Sequence, residues 1–407
     1  MNAQVVCNGF PRADGRKGIR NNLLVIYLVE CAHHVARLIV NQANDPAVQL
    51  VGFPGCYPNP YAYRVMTQLA THPNVGGALI VSLGCESFNR TGLAKAIAAS
   101  GRPVETLVIQ QVGGTRSTIA AGAAAVARLK VAAGQVARVP MTLQDLVVGT
   151  ICGGSDGTSG ITANPAVGRC FDRLVAAGAT CIFEETGELI GCQQVMASRA
   201  VTPELGSEIE AAVAKAERYY ATLGYGSFAA GNAEGGLTTQ EEKSLGAYSK
   251  SGDSPISGLI KPGDVPPGPG LYLMDVVPDG EVRFGFPNIS DNAEIVELIA
   301  SGCHLILFTT GRGSVVGSAI SPVIKVCANP ETYDRMAEDM DVNAGRILRN
   351  RATLDEVGAE IFEQVCAVCA GRESLSETLG HQEFILTYKQ FDPVGPACLP
   401  LAARRSA

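Results

Sequence analysis

The sequence predicts an α/β protein in which an N-terminal parallel-sheet domain is followed by a larger α/β domain. Strand-like apolar runs alternate with helical periods through the first third of the chain. The stretch VARVPMTLQD (136–145) then breaks this rhythm, and glycine-rich loops follow strand-like runs in the rest of the chain. We therefore predict a first domain over 1–140 and a second over 141–407.

Four strand-like runs carry the prediction for the first domain, and a helical period follows each of them. The runs are LLVIYLV (23–29), VQLVGF (48–53), GALIVSL (77–83) and VETLVI (104–109). Strands that alternate with helices indicate βαβ units, which place the strands in one parallel sheet with helices on both faces. The predicted layout of this domain is Rossmann-like.

Composition narrows the class of protein. A length of 407 residues allows two or three domains with full cores. A net charge of −7 argues against a nucleic-acid surface. The N-terminal stretch lacks the apolar core of a signal peptide, and no apolar run is long enough to span a membrane. We expect a cytoplasmic protein that binds neither nucleic acid nor membrane.

Four of the 13 cysteines directly follow strand-like runs, namely Cys31, Cys56, Cys85 and Cys152. An odd, scattered set of cysteines indicates reduced thiols or metal ligands rather than disulfides. In one parallel sheet the strand ends share an edge where ligands bind, so these thiols could meet there. Thiolates at such an edge suit iron, zinc or an iron–sulfur cluster. The alternative is that the cysteines are small packing residues.

Two glycine-rich stretches follow strand-like runs in the second domain. In ICGGSDGTSGITANPAVGR (151–169), Asn164 is a predicted N-cap and Pro165 a predicted first helical residue. Bare amides before a helix form an anion site, and the absence of lysine argues against a P-loop. In TTGRGSVVG (309–317), the glycines would let Arg312 hold a carboxylate bidentately, although a structural ion pair is the alternative.

Two further residues are singled out by their surroundings. Lys243 is the cationic candidate in GNAEGGLTTQEEKSLG (231–246), although lysines more often belong to solvated faces. His304 precedes the strand-like run LILF, where we expect a hydrogen-bonded structural histidine.

Several motifs together resemble the altronate/galactarate dehydratase family. In chain order they are GFPRADGRKGIRNN, SLGCE, CGGSDGTSGITANPAVGR, GGLTTQEEKSLG, FTTGRG, PVIKV and MDVNAG. The resemblance implies dehydration of a hydroxy or sugar acid to a 2-keto acid. It also implies a cofactor, which is divalent iron (or manganese) or an iron–sulfur cluster. Some relatives supply a small extra domain as a separate subunit, so we expect that subunit or further copies of this chain as partners.

The resemblance and the residue pattern give three groups of predicted site residues. They are Asp156, Lys243 and Arg312 as catalytic residues, Arg20, Gly153, Gly154, Ser155, Asn232 and Thr310 as substrate-binding residues, and Cys56, Cys85 and Cys152 as metal ligands. Removing a proton next to a carboxylate places charge on its oxygens, which a metal or a cationic side chain must stabilise. A general base and a general acid complete the elimination.

Two positions depart from the family pattern. Gly52 stands where the family has a histidine, and Ala233 stands where it has a lysine. The segment YPNPYAY also replaces polar residues of the family. These departures favour a less hydroxylated acid than altronate or galactarate. They also leave open a lyase that expels another group from C3, as sulfolactate sulfo-lyases do, or a non-catalytic metal-binding subunit.

Overall fold

The strands of the protein form three sheets. The computed structural model describes residues 5–223, 230–280, 290–386 and 388–389. In chain order the strands are β1 (Val5–Pro11), β2 (Lys17–Gly18), β3 (Asn22–Tyr27), β4 (Val48–Gly52), β5 (Val75–Ser82), β6 (Val104–Val108), β7 (Val139–Thr142), β8 (Val147–Cys152), β9 (Thr180–Phe183), β10 (Ile256–Ile260), β11 (Gly270–Met274), β12 (Leu305–Thr310), β13 (Val323–Cys327) and β14 (Val342–Asn343).

Helices connect these strands and cover the sheets. In chain order they are α1 (Glu30–Ala43), α2 (Pro60–Ala70), α3 (Arg90–Ala99), α4 (Ile109–Val112), α5 (Thr115–Gly134), α6 (Ala163–Ala176), α7 (Gln193–Ser198), α8 (Pro203–Leu223), α9 (Ala230–Glu234), α10 (Gln240–Tyr248), α11 (Asp291–Ala300), α12 (Pro330–Arg335), α13 (Leu354–Cys369) and α14 (Leu375–Thr378). In the described parts of the chain, no helix has the length and apolarity needed to cross a bilayer.

The predicted parallel sheet of the first domain is confirmed. Its four strands pair in the order β4-β3-β5-β6, and all pairs are parallel. Side chains of β3 alternate between its faces, as in any strand. Leu23 and Val25 pack in a core with α1 and α5, whereas Leu24 and Ile26 pack in a core with α2 and α3. The second core also contains α11, so this face of the sheet joins the two parts of the molecule.

A second parallel sheet has the order β10-β11-β9-β8-β12-β13-β14. The chain leaves β8 on one side to form β9, and it later returns to β8 on the other side as β12. Ligands bind at the carboxyl ends of strands where the order reverses in this way. The loops after β8, β9 and β12 therefore meet at the expected binding edge.

A small antiparallel sheet of order β2-β1-β7 lies beside the seven-stranded sheet. Ile19 and Met141 belong to the same buried core as α6 and α13. Val6 and Cys7 of β1 pack against that core. The strand β1 is thus held by the C-terminal part of the molecule.

His304 is a structural residue, as the sequence predicts. It is buried, and its ring lies 6.1 Å from that of His72. Its Nδ1 accepts a hydrogen bond from Val147 N (3.0 Å), and its Nε2 lies 2.7 Å from Lys17 O. A neutral ring with its proton on Nε2 satisfies both partners. Burial lowers the pKa of His304 to about 4.

We expect the free energy of unfolding to fall as the pH is lowered from neutral. The pKa of His304 is near 6.5 in the unfolded chain. Between this pH and the folded-state pKa, the unfolded protein binds a proton at His304 and the folded protein does not, so acid favours unfolding. The loss grows down to the folded-state pKa and amounts there to about 3 kcal/mol. Urea unfolding at neutral and mildly acidic pH measures it, and the pH difference should shrink in His304→Gln. An equal difference in both proteins would contradict this role.

Candidate active site

A buried group of charged side chains surrounds Cys152 at the carboxyl end of β8. The Cys152 Sγ lies 3.3 Å from Glu185 Oε2 and 3.1 Å from Glu188 Oε2. Two ammonium groups also approach it, with Lys243 Nζ at 3.4 Å and Lys250 Nζ at 3.6 Å. Burial and then Glu188 raise the pKa of the Cys152 thiol, whereas the two lysines oppose the shift. The thiol has a single proton, so it can donate to only one of the two carboxylates, while both ammonium groups can donate to its sulfur.

Glu185 is held in an unusual backbone conformation. Its φ of 81° lies in the left-handed region, which residues with a side chain rarely adopt. In this conformation its carboxylate pairs with the buried Lys250 and accepts a hydrogen bond from Cys152 N (3.2 Å). Strain of this kind persists where the surroundings require one geometry, and it is concentrated at functional sites.

Lys243 links the group to the glycine-rich loop. Its Nζ lies 2.7 Å from Glu188 Oε2 and donates to Ser155 Oγ over 2.9 Å. Burial would lower the pKa of Lys243, but Cys152 and Glu188 together raise it above its ordinary value. Lys243 is therefore a fixed positive charge at neutral pH. The structure brings three of the predicted residues together here, namely Lys243, Ser155 and Cys152.

A second acidic group lies next to the first. Glu184 is fully buried, and neither of its carboxylate oxygens has a hydrogen-bond partner among the described residues. Burial raises the pKa of Glu294 to about 8, against the opposing charge of Lys389. Glu297 accepts a hydrogen bond from Lys389 Nζ (2.8 Å) and another from the Tyr61 hydroxyl. Buried carboxyl groups without partners are costly, so they indicate bound protons or a bound cation.

Two overlapping sets of side chains could hold a metal ion. One contains Cys152, Glu185 and Glu188, and the other contains Glu184, Glu185 and Glu294. Within each set the ligand atoms lie within 4.8 Å of one another. Lys243 pairs with Glu188 of the first set, and Lys250 pairs with Glu185, which belongs to both sets, whereas Glu184 of the second set has no partner among the described residues. The carboxylate set with the unpartnered Glu184 therefore fits a divalent ion better.

The predicted metal set of Cys56, Cys85 and Cys152 is not brought together. Cys56 and Cys85 follow β4 and β5 of the four-stranded sheet and are exposed, whereas Cys152 ends β8 of the seven-stranded sheet and is buried. A hydrogen bond from Ser87 N to Cys56 O (2.8 Å) joins the two loops that carry the exposed cysteines. The expectation of one shared edge was wrong because the strands belong to different sheets.

The two glycines after Cys152 serve close packing. A Cβ at Gly153 would overlap the carboxylate of Asp291, and Gly154 has a φ of 59°. The amide of Gly153 donates to Thr309 O (3.0 Å). That amide is therefore already used by the protein, which contradicts the expectation that it binds substrate.

The helix after this loop begins earlier than predicted. The N-cap of α6 is Thr162 rather than Asn164, and the helix starts at Ala163. Asn164 is buried in the first turn, where it donates to Gly246 O (2.9 Å) and accepts from Thr309 Oγ1 (2.6 Å). Its amide thus ties α6 to α10 and β12 instead of capping the helix.

Asp156 and Thr310 stabilise the loops around the site. Asp156 Oδ1 accepts from Thr158 N (2.9 Å), and Oδ2 accepts from Asn329 Nδ2 (2.9 Å). Thr310 Oγ1 accepts from Gly313 N (3.0 Å). These contacts fix the loops after β8, β12 and β13. The predicted catalytic role of Asp156 and binding role of Thr310 stay predictions.

Arg312 and Asn232 meet on the segment around α9. Arg312 Nη1 contacts Gly231 O and lies 3.3 Å from Glu234 Oε2. Asn232 Nδ2 donates to Ser155 O (2.9 Å). The side chain of Arg312 is 42% exposed, so it borders solvent rather than the buried group. The segment 230–234 is thereby attached to the loops after β8 and β12.

Arg20 does not belong to the site. Its guanidinium pairs with Glu377 (2.7 and 2.9 Å) and donates to Val368 O (3.0 Å) and Arg372 O (2.9 Å). It therefore anchors α13 and α14, and the predicted binding role is wrong. The reason is that the C-terminal helices, which its surrounding motif does not reveal, occupy its hydrogen-bond donors.

The two positions that depart from the family pattern have simple structural surroundings. A Cβ at Gly52 would overlap the ring of Tyr27, which itself stacks on His33 at 4.6 Å. An aromatic ring thus fills the space where a larger side chain would stand. Ala233 is exposed on α9. Their effect on the choice of acid stays a prediction.

Two family profiles match nearly the whole chain. The profile described as D-galactarate/altronate dehydratase, C-terminal, matches residues 143–391. The profile described as D-galactarate dehydratase/altronate hydrolase, second domain, matches residues 9–134. The chain belongs to the D-galactarate/altronate dehydratase family. The resemblance noted from its motifs is confirmed.

Relatives within this family have different names. The chain is 34% identical to the (2R)-sulfolactate sulfo-lyase subunit beta of Chromohalobacter salexigens, over 93% of this chain and 96% of that protein. It is 30% identical to altronate dehydratase of Bacillus subtilis, over 89% and 74% of the two chains. It is 32% identical to galactarate dehydratase (L-threo-forming) of Escherichia coli, over 76% and 59%. These relatives share a family but differ in the acid named.

Sequence reasoning missed most of the charged residues of this candidate site, namely Glu184, Glu185, Glu188, Asp291, Glu294, Glu297, Lys250 and Lys389. Glu184, Glu185 and Glu188 lie in FEETGE, directly after the strand β9. Acidic residues at the carboxyl end of a parallel strand are a detectable signal that the sequence does contain. Lys250 and Lys389 carry no comparable local signal, because they enter the site from a helical turn and from the C-terminal segment.

Proposed function

We propose that the protein is a lyase that eliminates water from a 2,3-dihydroxy acid and yields a 2-keto acid. The observation that carries this proposal is the buried group of Lys243, Lys250, Glu185 and Glu188 around Cys152 at the strand edge. Fixed cations beside buried carboxylates suit proton removal next to a carboxylate group. The family membership of the chain supports the same reaction class.

Different side chains would bind the acid, remove the proton and protonate the leaving group in this elimination. Lys243, held by Ser155, and Lys250 would stabilise the charge that develops on the substrate carboxylate. Glu188 is 18% exposed and would remove the proton from C2. Burial and then Glu188 raise the pKa of Asp291 to about 6, so this carboxyl could protonate the hydroxyl leaving from C3. The C2–H and C3–O bonds break, water leaves, and the enol becomes the 2-keto acid.

A divalent ion, iron or manganese, fits the carboxylate set of Glu184, Glu185 and Glu294. The support is the fully buried Glu184, whose two oxygens are without a described partner. Oxygen ligands of this kind suit such ions. When bound, the ion would add positive charge that stabilises the deprotonated substrate. The lysines would still bind the acid, and Glu188 would still move the proton.

A second candidate is elimination of sulfite from C3 of a 2-hydroxy-3-sulfo acid. The similarity to the sulfo-lyase subunit beta favours this candidate, because the match covers 96% of that relative's length. The same proton at C2 would be removed, and only the leaving group differs. That relative is named as a subunit, so this candidate includes a separate partner chain.

A panel of hydroxy acids separates the two candidates. Protein purified without oxygen and supplied with ferrous ion would be tested on 2,3-dihydroxy acids and on sulfolactate. We expect a 2-keto acid from the dihydroxy acids, detected with a carbonyl reagent. Sulfite release would instead establish the second candidate. The absence of both products would contradict the proposed function.

Arg312 offers a test at the rim of the site. We expect Arg312→Lys to fold but to bind the acid more weakly, by about 1–3 kcal/mol, because a point charge cannot reproduce a bidentate fork. The KM for the active acid measures the effect, with kcat as the internal control. Unchanged kinetics would show that Arg312 only attaches the α9 segment.

A further inference from the structure

The segment YPNPYAY (57–63), which departs from the family pattern, reaches the second acidic group from the first domain. It contains the start of α2, whose N-cap Asn59 accepts a hydrogen bond from Ala62 N (2.9 Å). Tyr61, in the first turn of this helix, is buried and donates from its hydroxyl to a carboxylate oxygen of Glu297. A side chain of the first domain therefore contacts the second acidic group.

Asn59 also holds the C-terminal segment in place. Its Oδ1 caps α2, while its Nδ2 donates to Tyr388 O (3.1 Å) and to Lys389 O (2.9 Å). The Tyr388 ring adds an edge-on contact with Phe53, with 5.1 Å between the ring centroids. Both ends of one amide are thus in use, and the main chain at Lys389 is fixed to the first domain.

Lys389 extends this link to Glu297. Its Nζ donates to Glu297 Oε2 (2.8 Å), and both side chains are fully buried. A buried charge is costly without a partner, so each of the two side chains requires the other. Because the Tyr61 hydroxyl donates to Oε1, both carboxylate oxygens of Glu297 have partners. Glu184 of the same group has none among the described residues, so Glu297 is the anchored carboxylate and Glu184 the open one.

The placement of Glu297 determines where α11 presents its other carboxylates. Asp291 and Glu294 lie on this ten-residue helix, within two turns before Glu297. Asp291 is the proposed acid for the leaving group, and Glu294 belongs to the carboxylate set. Side chains on a rigid helix, locked by supporting hydrogen bonds, keep the geometry that a reaction requires. A misplacement of about 1 Å in such a geometry can lower the rate roughly 10²-fold.

We propose that Asn59 and Tyr61 are positioning residues for the elimination, which act through Glu297 on the placement of α11. Tyr61 contacts Glu297 directly, whereas Asn59 acts through Lys389. The inference rests on the proposed function, because it takes the carboxylates of α11 as working side chains. It gives the first domain a part in the reaction that requires no contact with the substrate.

Asn59→Ser tests the link through the C-terminal segment. Serine can still cap α2, but it has no amide to donate to the two carbonyl groups. We expect kcat on the acid found active to fall roughly 10- to 100-fold, with KM changed by no more than about twofold. Asn89→Ser is the matched control, because Asn89 caps α3 by accepting from Gly92 N (2.9 Å) and should leave both constants unchanged. Ordinary kcat in Asn59→Ser would overturn the inference.

Tyr61→Phe tests the direct contact with Glu297. It keeps the ring and removes the hydroxyl, so we expect kcat to fall while KM is retained. The control is Tyr63→Phe, on the same helix, because the Tyr63 ring packs against Phe88 (5.6 Å between centroids) and should be silent. Equal losses in the two variants would show a general loosening of α2 and would count against a positioning role.

A double-mutant cycle tests the same link without turnover. The free energy of unfolding in urea would be measured for Asn59→Ser, for Lys389→Met and for the two combined. Lys389→Gln, which keeps a donor for Glu297, replaces Lys389→Met if that variant does not fold. We expect the combined loss to be smaller than the sum, whereas additive losses would overturn the link. A coupled cycle in a protein that converts no acid would refute the proposed function and leave the hold on α11 standing.

Discussion

Lys243→Met is expected to lower kcat roughly 10²- to 10³-fold while leaving a folded protein. Lys243 is the buried cation that contacts Ser155, Glu188 and Cys152 at once. Removing it takes away the charge that would stabilise the deprotonated acid. Steady-state kinetics on the acid found active in the panel, with circular dichroism for the fold, provides the measurement.

Loss of folding must be separated from loss of chemistry in this experiment. Breaking a buried ion pair leaves the other charge uncompensated and costs about 3–5 kcal/mol. The double variant Lys243→Met with Glu188→Gln removes both charges and should be the more stable of the two. Lys17→Met is the control. Lys17 lies on β2 of the small antiparallel sheet, and its ammonium group pairs with Asp145 (2.9 Å) rather than with a residue of the site. A folded Lys243→Met protein with ordinary kcat would refute the assigned role.

If a divalent ion binds the carboxylate set as we propose, Glu184→Gln is expected to lower the metal content of the protein strongly and, with it, the activity. The substitution keeps the shape of a fully buried side chain but replaces one ligand oxygen by an amide nitrogen. Loss of a direct ligand should weaken metal affinity by ~10²-fold or more. Elemental analysis of protein purified without oxygen measures the content. A chelator should lower the melting temperature of the unmodified protein but not that of the variant.

Variants of the three cysteines predicted as metal ligands are compared with Glu184→Gln for their metal content. Cys56→Ser, Cys85→Ser and Cys152→Ser should all retain the ion, because the carboxylate set excludes all three thiols. Metal loss in a cysteine variant, together with full metal content in Glu184→Gln, would restore the thiolate prediction. The two outcomes cannot be confused, since each assigns the ion to different side chains.

The local sequence pattern was sufficient to predict the strands and helices of the first domain. The runs at 23–29, 48–53, 77–83 and 104–109 form β3 to β6, because short continuous apolar runs between helical periods are typical of parallel strands covered on both faces. The glycine-rich loops after β8 and β12 are also recognisable from their motifs. Those motifs and their neighbours contain Lys243, Ser155 and Cys152, and the three side chains do meet in the folded protein.

Tertiary structure decided which strand ends face one another. Cys56 and Cys85 satisfy the same local rule as Cys152, yet they lie on another sheet, since sheet membership depends on strand pairing between distant segments. Arg20 was misassigned for a related reason, because its partner Glu377 is 357 residues away.

The buried charges were the least visible part of the site. Glu184 and Lys389 reach it from β9 and from the C-terminal segment, and neither shows a periodic pattern. A charged residue in a sequence is by default expected to be solvated. Burial beside other charges results only when the packing of two sheets and the C-terminal segment removes water from all of them together. The local sequence pattern predicts the strands, the helices and the glycine-rich loops, whereas the arrangement of charges in the site arises only in the folded molecule.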